Sequence, residues 1–103
     1  MIDFIATSPE GEAILILVDD QPWDGSTDRV LALQDRLNGA TAYLLDGGFA
    51  ADHPDLATAS ARIELRCVHP PDAVATHFLT AFRAVLDDRG VPFSVKQIRR
   101  PVH

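Results

Sequence analysis

Residues 13–20 read AILILVDD, six apolar side chains closed by two carboxylates. Successive side chains of an extended chain point to opposite faces, so Ile14, Ile16 and Val18 share one face and Leu15 and Leu17 the other. A strand that is apolar on both faces belongs inside a sheet or beneath a partner, not at a solvated edge. The run is also far short of the roughly 20 apolar residues that a membrane-spanning helix needs. The other elements are therefore arranged around this strand.

Upstream, IDFIAT (2–7) is rich in strand formers, and SPEGE carries the turn residues Pro9 and Gly11. The two runs predict a β-hairpin with a loop slightly longer than the tightest kind. Downstream, a turn over Pro22–Ser26 leads into a helix whose apolar positions are Val30, Leu33, Leu37, Ala40 and Leu44. Ser26 or Asp24 caps it, Asp28 suits its positive end, and Gly47 and Gly48 close it. Gly39 inside that helix costs about 1 kcal/mol against Ala, so the expectation there is a close helix–sheet contact or a kink.

Residues 49–60 form a connector, with a helical turn expected around Pro54. ARIELRCV (61–68) alternates, with Ile63, Leu65 and Cys67 against Arg62, Glu64 and Arg66. Pro70 and Pro71 then open a second helix with an expected apolar stripe of Val74, Phe78, Ala81, Phe82 and Val85, closed by Gly90. VPFSVKQI (91–98) is a last strand with Phe93 and Val95 inward. The expectation is thus an α+β two-layer sandwich of order β-β-α-β-α-β. It has a four-stranded mixed sheet in spatial order 1-2-3-4, the first strand antiparallel, with two helices on one face. Its other face is expected to set Ile5, Leu15 and Leu17 beside Glu64, Arg66 and Lys96, a half-apolar surface suited to dimerisation.

The totals agree with one domain spanning 1–103, because 103 residues do not divide into two cores. A 47% hydrophobic fraction with 23% charged residues is globular composition. A net charge of −6 opposes a phosphate backbone, and the basic residues cluster only in KQIRRP, so no nucleic-acid partner is expected. The N-terminus MIDFIATSPEGE has no basic region ahead of an apolar run and reads as no signal peptide. The lone Cys67 fits a reducing cytoplasm, and neither a membrane nor a cofactor is expected.

This strand order would gather chemistry at one edge. The second strand ends at Asp19, Asp20 and Trp23, the third at His69 followed by Asp72, and the last at Arg99 and Arg100. Open sheets carry their sites beyond the carboxyl ends of parallel strands. Each group also has a plainer role. The acids around Pro22 and Trp23 lack the alternating pattern of a calcium loop and serve as turn formers and caps. Cys67 lies in the inward series with Ile63 and Leu65, where cysteine is inert packing rather than half of a Cys/His nucleophile. His53, His77 and His103 have no second ligand at zinc spacing, so no metal is expected. No serine elbow, phosphate loop or deaminase signature is present. Trp23 either folds back onto the core or serves as an apolar contact, since tryptophan is enriched at binding hot spots.

The segments ILILVDDQPWDG, LALQDRLNGATAYLLDG and RIELRCVHPPDAVATHFL together resemble a family of short bacterial proteins classed as a domain of unknown function. The likeness rests on Trp23 and Asp24 before the helix, on Leu33, Gln34, Leu37 and Asn38 within it, and on Pro70 and Pro71 before the second helix. The stretch GAT at 39–41 departs from that pattern. The resemblance implies the element boundaries and no chemistry. The functional expectation is a non-catalytic cytoplasmic interaction or accessory protein, a homodimer or the partner of another protein. Its binding edge would be Trp23, Asp19, Asp20, His69 and Arg99, with no catalytic residue assigned. The alternative is a small-ligand or enzymatic site at the same edge, with His69 as acid/base and Arg99 or Arg100 holding an anion.

Overall fold

A computed structural model describes residues 2–56 and 60–99. Arg100 and His103 lie outside the described residues. In it β1 (Phe4–Thr7) and β2 (Ala13–Asp19) form the expected antiparallel hairpin. The loop closes on itself: Ser8 N–H donates to Glu12 O at 2.8 Å, and the Ser8 hydroxyl accepts from Glu12 N–H at 3.0 Å. Gly11 takes φ +85°, a backbone shape that side chains disfavour.

Ser26 caps α1 (Thr27–Leu45), its hydroxyl accepting from Arg29 N–H at 3.1 Å. A short α2 (Gly48–Asp52) follows, and a turn over Pro54 is closed by Leu56 N–H donating to His53 O at 3.0 Å. Next come β3 (Ala61–Cys67), α3 (Ala73–Asp88), whose cap is Asp72, and β4 (Phe93–Gln97). The sheet order is β1-β2-β3-β4, with β2, β3 and β4 parallel and both long helices packed on one face.

Register explains which side of β2 meets the helices. Leu15 pairs with Ile63 and Leu17 with Leu65, and cross-strand partners share a face. The apolar series of β3 thus pulls Leu15 and Leu17 into the core with Leu33, Leu37, Leu79, Phe82, Leu86 and Phe93. This corrects the expected composition of the uncovered face. Ile5, Leu15 and Leu17 lie on the helix side; Phe4, Ile14, Ile16 and Val18 stand beside Arg62, Glu64, Arg66 and Lys96.

That face is less open than its lack of a covering layer suggests. Ile14 and Ile16 are only 8% and 3% exposed, and Phe4, at 61%, is the large apolar side chain it presents. Glu64 is buried to 1%, with Arg66 Nε at 2.7 Å and Lys96 Nζ at 3.8 Å from its oxygens. Long basic side chains cover such surface with their stems while their charged ends stay in water.

Two helical expectations also change. The buried stripe of α3 is Ala75, Leu79, Phe82 and Leu86, whereas Val74, Ala81 and Val85 face solvent. Two apolar stripes run side by side on this helix, and the one with the larger combined volume goes inward. Gly39 shows no close contact: a Cβ built there meets nothing within 4 Å, and α1 is assigned as one helix through it. Val95 keeps the expected face but remains 39% exposed on the edge strand β4.

Candidate functional site

The segment from Asp19 to Gly25 leaves the carboxyl end of β2 and is latched on both sides. Asp19 is 3% exposed, and its two oxygens accept from Arg29 Nη2 at 2.6 Å and Nη1 at 3.1 Å. The same guanidinium donates to Pro22 O at 3.1 Å and to Gln21 O at 2.9 Å. It also stacks on the Trp23 ring, its central carbon 3.9 Å from the ring centroid. On the far side of the turn, Trp23 Nε1–H donates to His69 O at 3.1 Å. Asp72 caps α3 through Ala75 N–H and accepts from Gly25 N–H, both at 2.9 Å.

A second guanidinium extends the network. Arg36 Nη2 donates to Asp3 Oδ2 at 3.1 Å and to Val18 O at 2.9 Å, while Nη1 lies 3.8 Å from Asp19 Oδ2. Asp3 Oδ2 accepts from Val18 N–H at 2.7 Å, so a side-chain oxygen takes the place of a strand carbonyl. Two carboxylates and two guanidiniums therefore join the residue preceding β1 to β2 and α1. At the turn, the Ser26 hydroxyl and then its amide hold the Asp24 carboxyl below the ordinary carboxylate range.

Of the five expected binding residues, Asp19, Trp23 and His69 are joined through these bonds. Asp19 points into the protein, and Trp23 is half-buried and packed against the core. Asp20 is exposed and accepts from Gln21 Nε2 at 2.8 Å, and Arg99 is exposed beyond β4. Cys67 is 1% exposed, and its thiol is pushed up to about 11 by burial and, less, by the charge of Asp19. It is a protonated core thiol at neutral pH. No group of three or more His, Cys, Asp or Glu suited to a metal occurs among the described residues. No described helix is long and apolar enough to cross a membrane.

Arg29, Arg36 and Asp3 were not singled out from the sequence. One signal was available for Arg29. It stands in the first turn of α1, where the helix dipole disfavours a cation, so its position calls for a specific acidic partner.

Another concave surface lies elsewhere. A groove of about 800 Å³ runs between β1 and the second half of α1. Ile2, Asp3, Phe4 and Ile5 form one wall, Gly39, Ala40 and Tyr43 the other, and His53 closes the end. That end is fixed by an aromatic chain, Tyr43 edge-on to Phe49 at 6.3 Å and Phe49 tilted against His53 at 5.5 Å. Gly48 is required beneath it, because a Cβ there would sit 2.8 Å from Tyr43 Cδ1. The Tyr43 hydroxyl donates to Asp52 Oδ2 at 2.8 Å, and this bond raises its pKa.

A family of unknown function (DUF6572) matches residues 1–99, and the chain belongs to that family. No curated protein and no solved structure matches the chain.

Proposed function

We propose that this member of a family of unknown function is a non-catalytic interaction module that docks another protein in the groove along β1. The observation that carries the reading is the groove itself, about 800 Å³ with largely apolar walls and beside β1, an edge strand of the described sheet. Concave apolar surfaces with a few placed polar groups are where proteins bind ligands and partners. Of the groups expected to form a binding edge at the other end, Asp19 and Trp23 have their polar atoms already bonded. Asp19 neutralises Arg29, and the Trp23 indole is bonded to His69 O; Cys67, expected as core packing, is a buried protonated thiol. That arrangement favours a structural latch over acid–base or nucleophilic chemistry.

Selection of a displayed random-peptide library on the folded protein tests the reading. Selected peptides should bind the wild type and lose binding to Gly39→Leu, which fills the groove from an exposed helical position. Trp23→Phe should retain them. Peptides that survive the groove variant and fail on the tryptophan variant would return the function to the Trp23 edge. A second reading, self-association as a homodimer, draws on the 61% exposure of Phe4 on the uncovered sheet face. Sedimentation equilibrium of wild type and Phe4→Ser separates it from the first, since only a homodimer through that face shifts to monomer.

A further inference from the structure

Building on that docking surface, we infer that the groove takes an extended, basic segment of a partner protein, which adds to β1 as a fifth strand. The backbone supplies the first argument. Ser8 N–H bonds to Glu12 O, and Thr7 faces Ala13 in the next pair. Antiparallel ladders alternate between pairs that exchange hydrogen bonds and pairs that do not, so the N–H and C=O groups of Ile5 and Thr7 are directed away from β2. Edge strands are normally guarded by proline, by outward charge or by a covering segment. The strand Phe-Ile-Ala-Thr carries no proline or charge of its own. The nearest carboxylate, Asp3, is exposed at the groove but already bonded to Val18 N–H and Arg36.

The opposite wall supplies the second. A strand added at the ordinary spacing of about 4.8 Å would send alternate side chains toward α1. There the chain places Gly39 and Ala40. A glycine within a helix costs about 1 kcal/mol, and no close packing at Gly39 accounts for it. Small side chains on that wall leave room for the incoming ones.

Charge selects the occupant. The chain carries −6, and the cation bonded to the groove wall is committed, Arg36 to Asp3 and Asp19. Asp52, held by the Tyr43 hydroxyl, makes no ion pair among the described residues, and exposed Asp55 lies two residues past His53. A second copy would bring an equally acidic molecule to this edge. A segment with lysine or arginine flanking its apolar residues would be drawn to it.

The test uses two capped peptides, Lys-Val-Leu-Val-Lys and Glu-Val-Leu-Val-Glu, with amide hydrogen exchange and amide chemical shifts as readouts. The basic peptide should shift the Gly39 amide and slow exchange at both Ile5 and Thr7. Added salt should weaken it, and the acidic peptide should bind at least about tenfold less tightly. Gly39→Leu should abolish the slowed exchange at Ile5 and Thr7. Shifts at Gly39 and Tyr43 with unchanged exchange at Ile5 and Thr7 would overturn strand addition while leaving the docking surface standing. Equal binding of both peptides would overturn the charge selection. If neither peptide binds, the inference fails; protection of Ile5 and Thr7 that then rises with protein concentration would assign the edge to a second copy.

Discussion

Arg29 sits where the dipole of its own helix opposes it, and the buried carboxylate of Asp19 is what makes that position tolerable. Removing one member of a buried pair leaves the other charge without compensation, at a cost of about 3–5 kcal/mol. Asp19→Ala should lower the urea stability by that amount, and adding Arg29→Met should restore a large part of it. Little change in the single variant would show the latch to be ornamental. The thiol of Cys67 makes a pH prediction of opposite character. Its folded pKa is pushed up to about 11, chiefly by burial. An unfolded thiol ionises near about 8.5, so above that pH the unfolded chain gives up a proton that the folded chain keeps. The contribution is fully present below that range and is lost as pH rises through the folded value. The urea midpoint should therefore fall more between neutral pH and pH about 10.5 in wild type than in Cys67→Ala. Equal alkaline slopes would contradict a protonated buried thiol. Residue identity alone disclosed little of this: the burial of Cys67 was legible from alternation with Ile63 and Leu65, but the partner of Asp19 lies a turn and a helix start away.

At the scale of elements, α3 divides the account most sharply. Val74, Phe78, Ala81 and Val85 and, one step round the helix, Ala75, Leu79, Phe82 and Leu86 are both apolar stripes of helical spacing. Periodicity locates the helix but does not choose between stripes one residue apart, and core volume does. Leu86→Ala should therefore cost about 2–5 kcal/mol, and Val85→Ala less than about 0.5 kcal/mol, by urea denaturation. The reverse ranking would mean that α3 is rotated about its axis. In α1 the exposed Gly39 carries a helix penalty without a structural reason, so Gly39→Ala should raise stability by about 1 kcal/mol. A loss of stability would mean that the position makes a contact that a methyl group disturbs. Element boundaries were the most legible feature, because Ser26, Asp72, Gly47 and Gly90 are chemical punctuation whose effect is local. The five-residue α2 was not, since its stability rests on Phe49 reaching the core and on the Tyr43–Phe49–His53 contacts.

For the whole molecule, the strand order followed from a strand apolar on both faces, which needs neighbours on either side and a helix layer above. The phase of that strand did not follow, because Ile14 and Ile16 are as apolar as Leu15 and Leu17 and only pairing with β3 distinguishes them. The groove was hidden for a different reason: its walls come from the start of the chain, the middle of α1 and the residue after α2, and no local pattern links them. The carboxyl end of the strands drew notice because it is dense in chemical groups, yet the structure uses several of them to hold the Trp23 turn in place. The central claim is that the edge and groove along β1, and not that latched end, form the working surface. The most direct measurement is an amide chemical-shift map of the protein titrated with a library-selected peptide. The account predicts shifts concentrated at Ile2, Ile5, Gly39, Tyr43 and His53; shifts concentrated at Asp20, Trp23, His69 and Arg99 would contradict it.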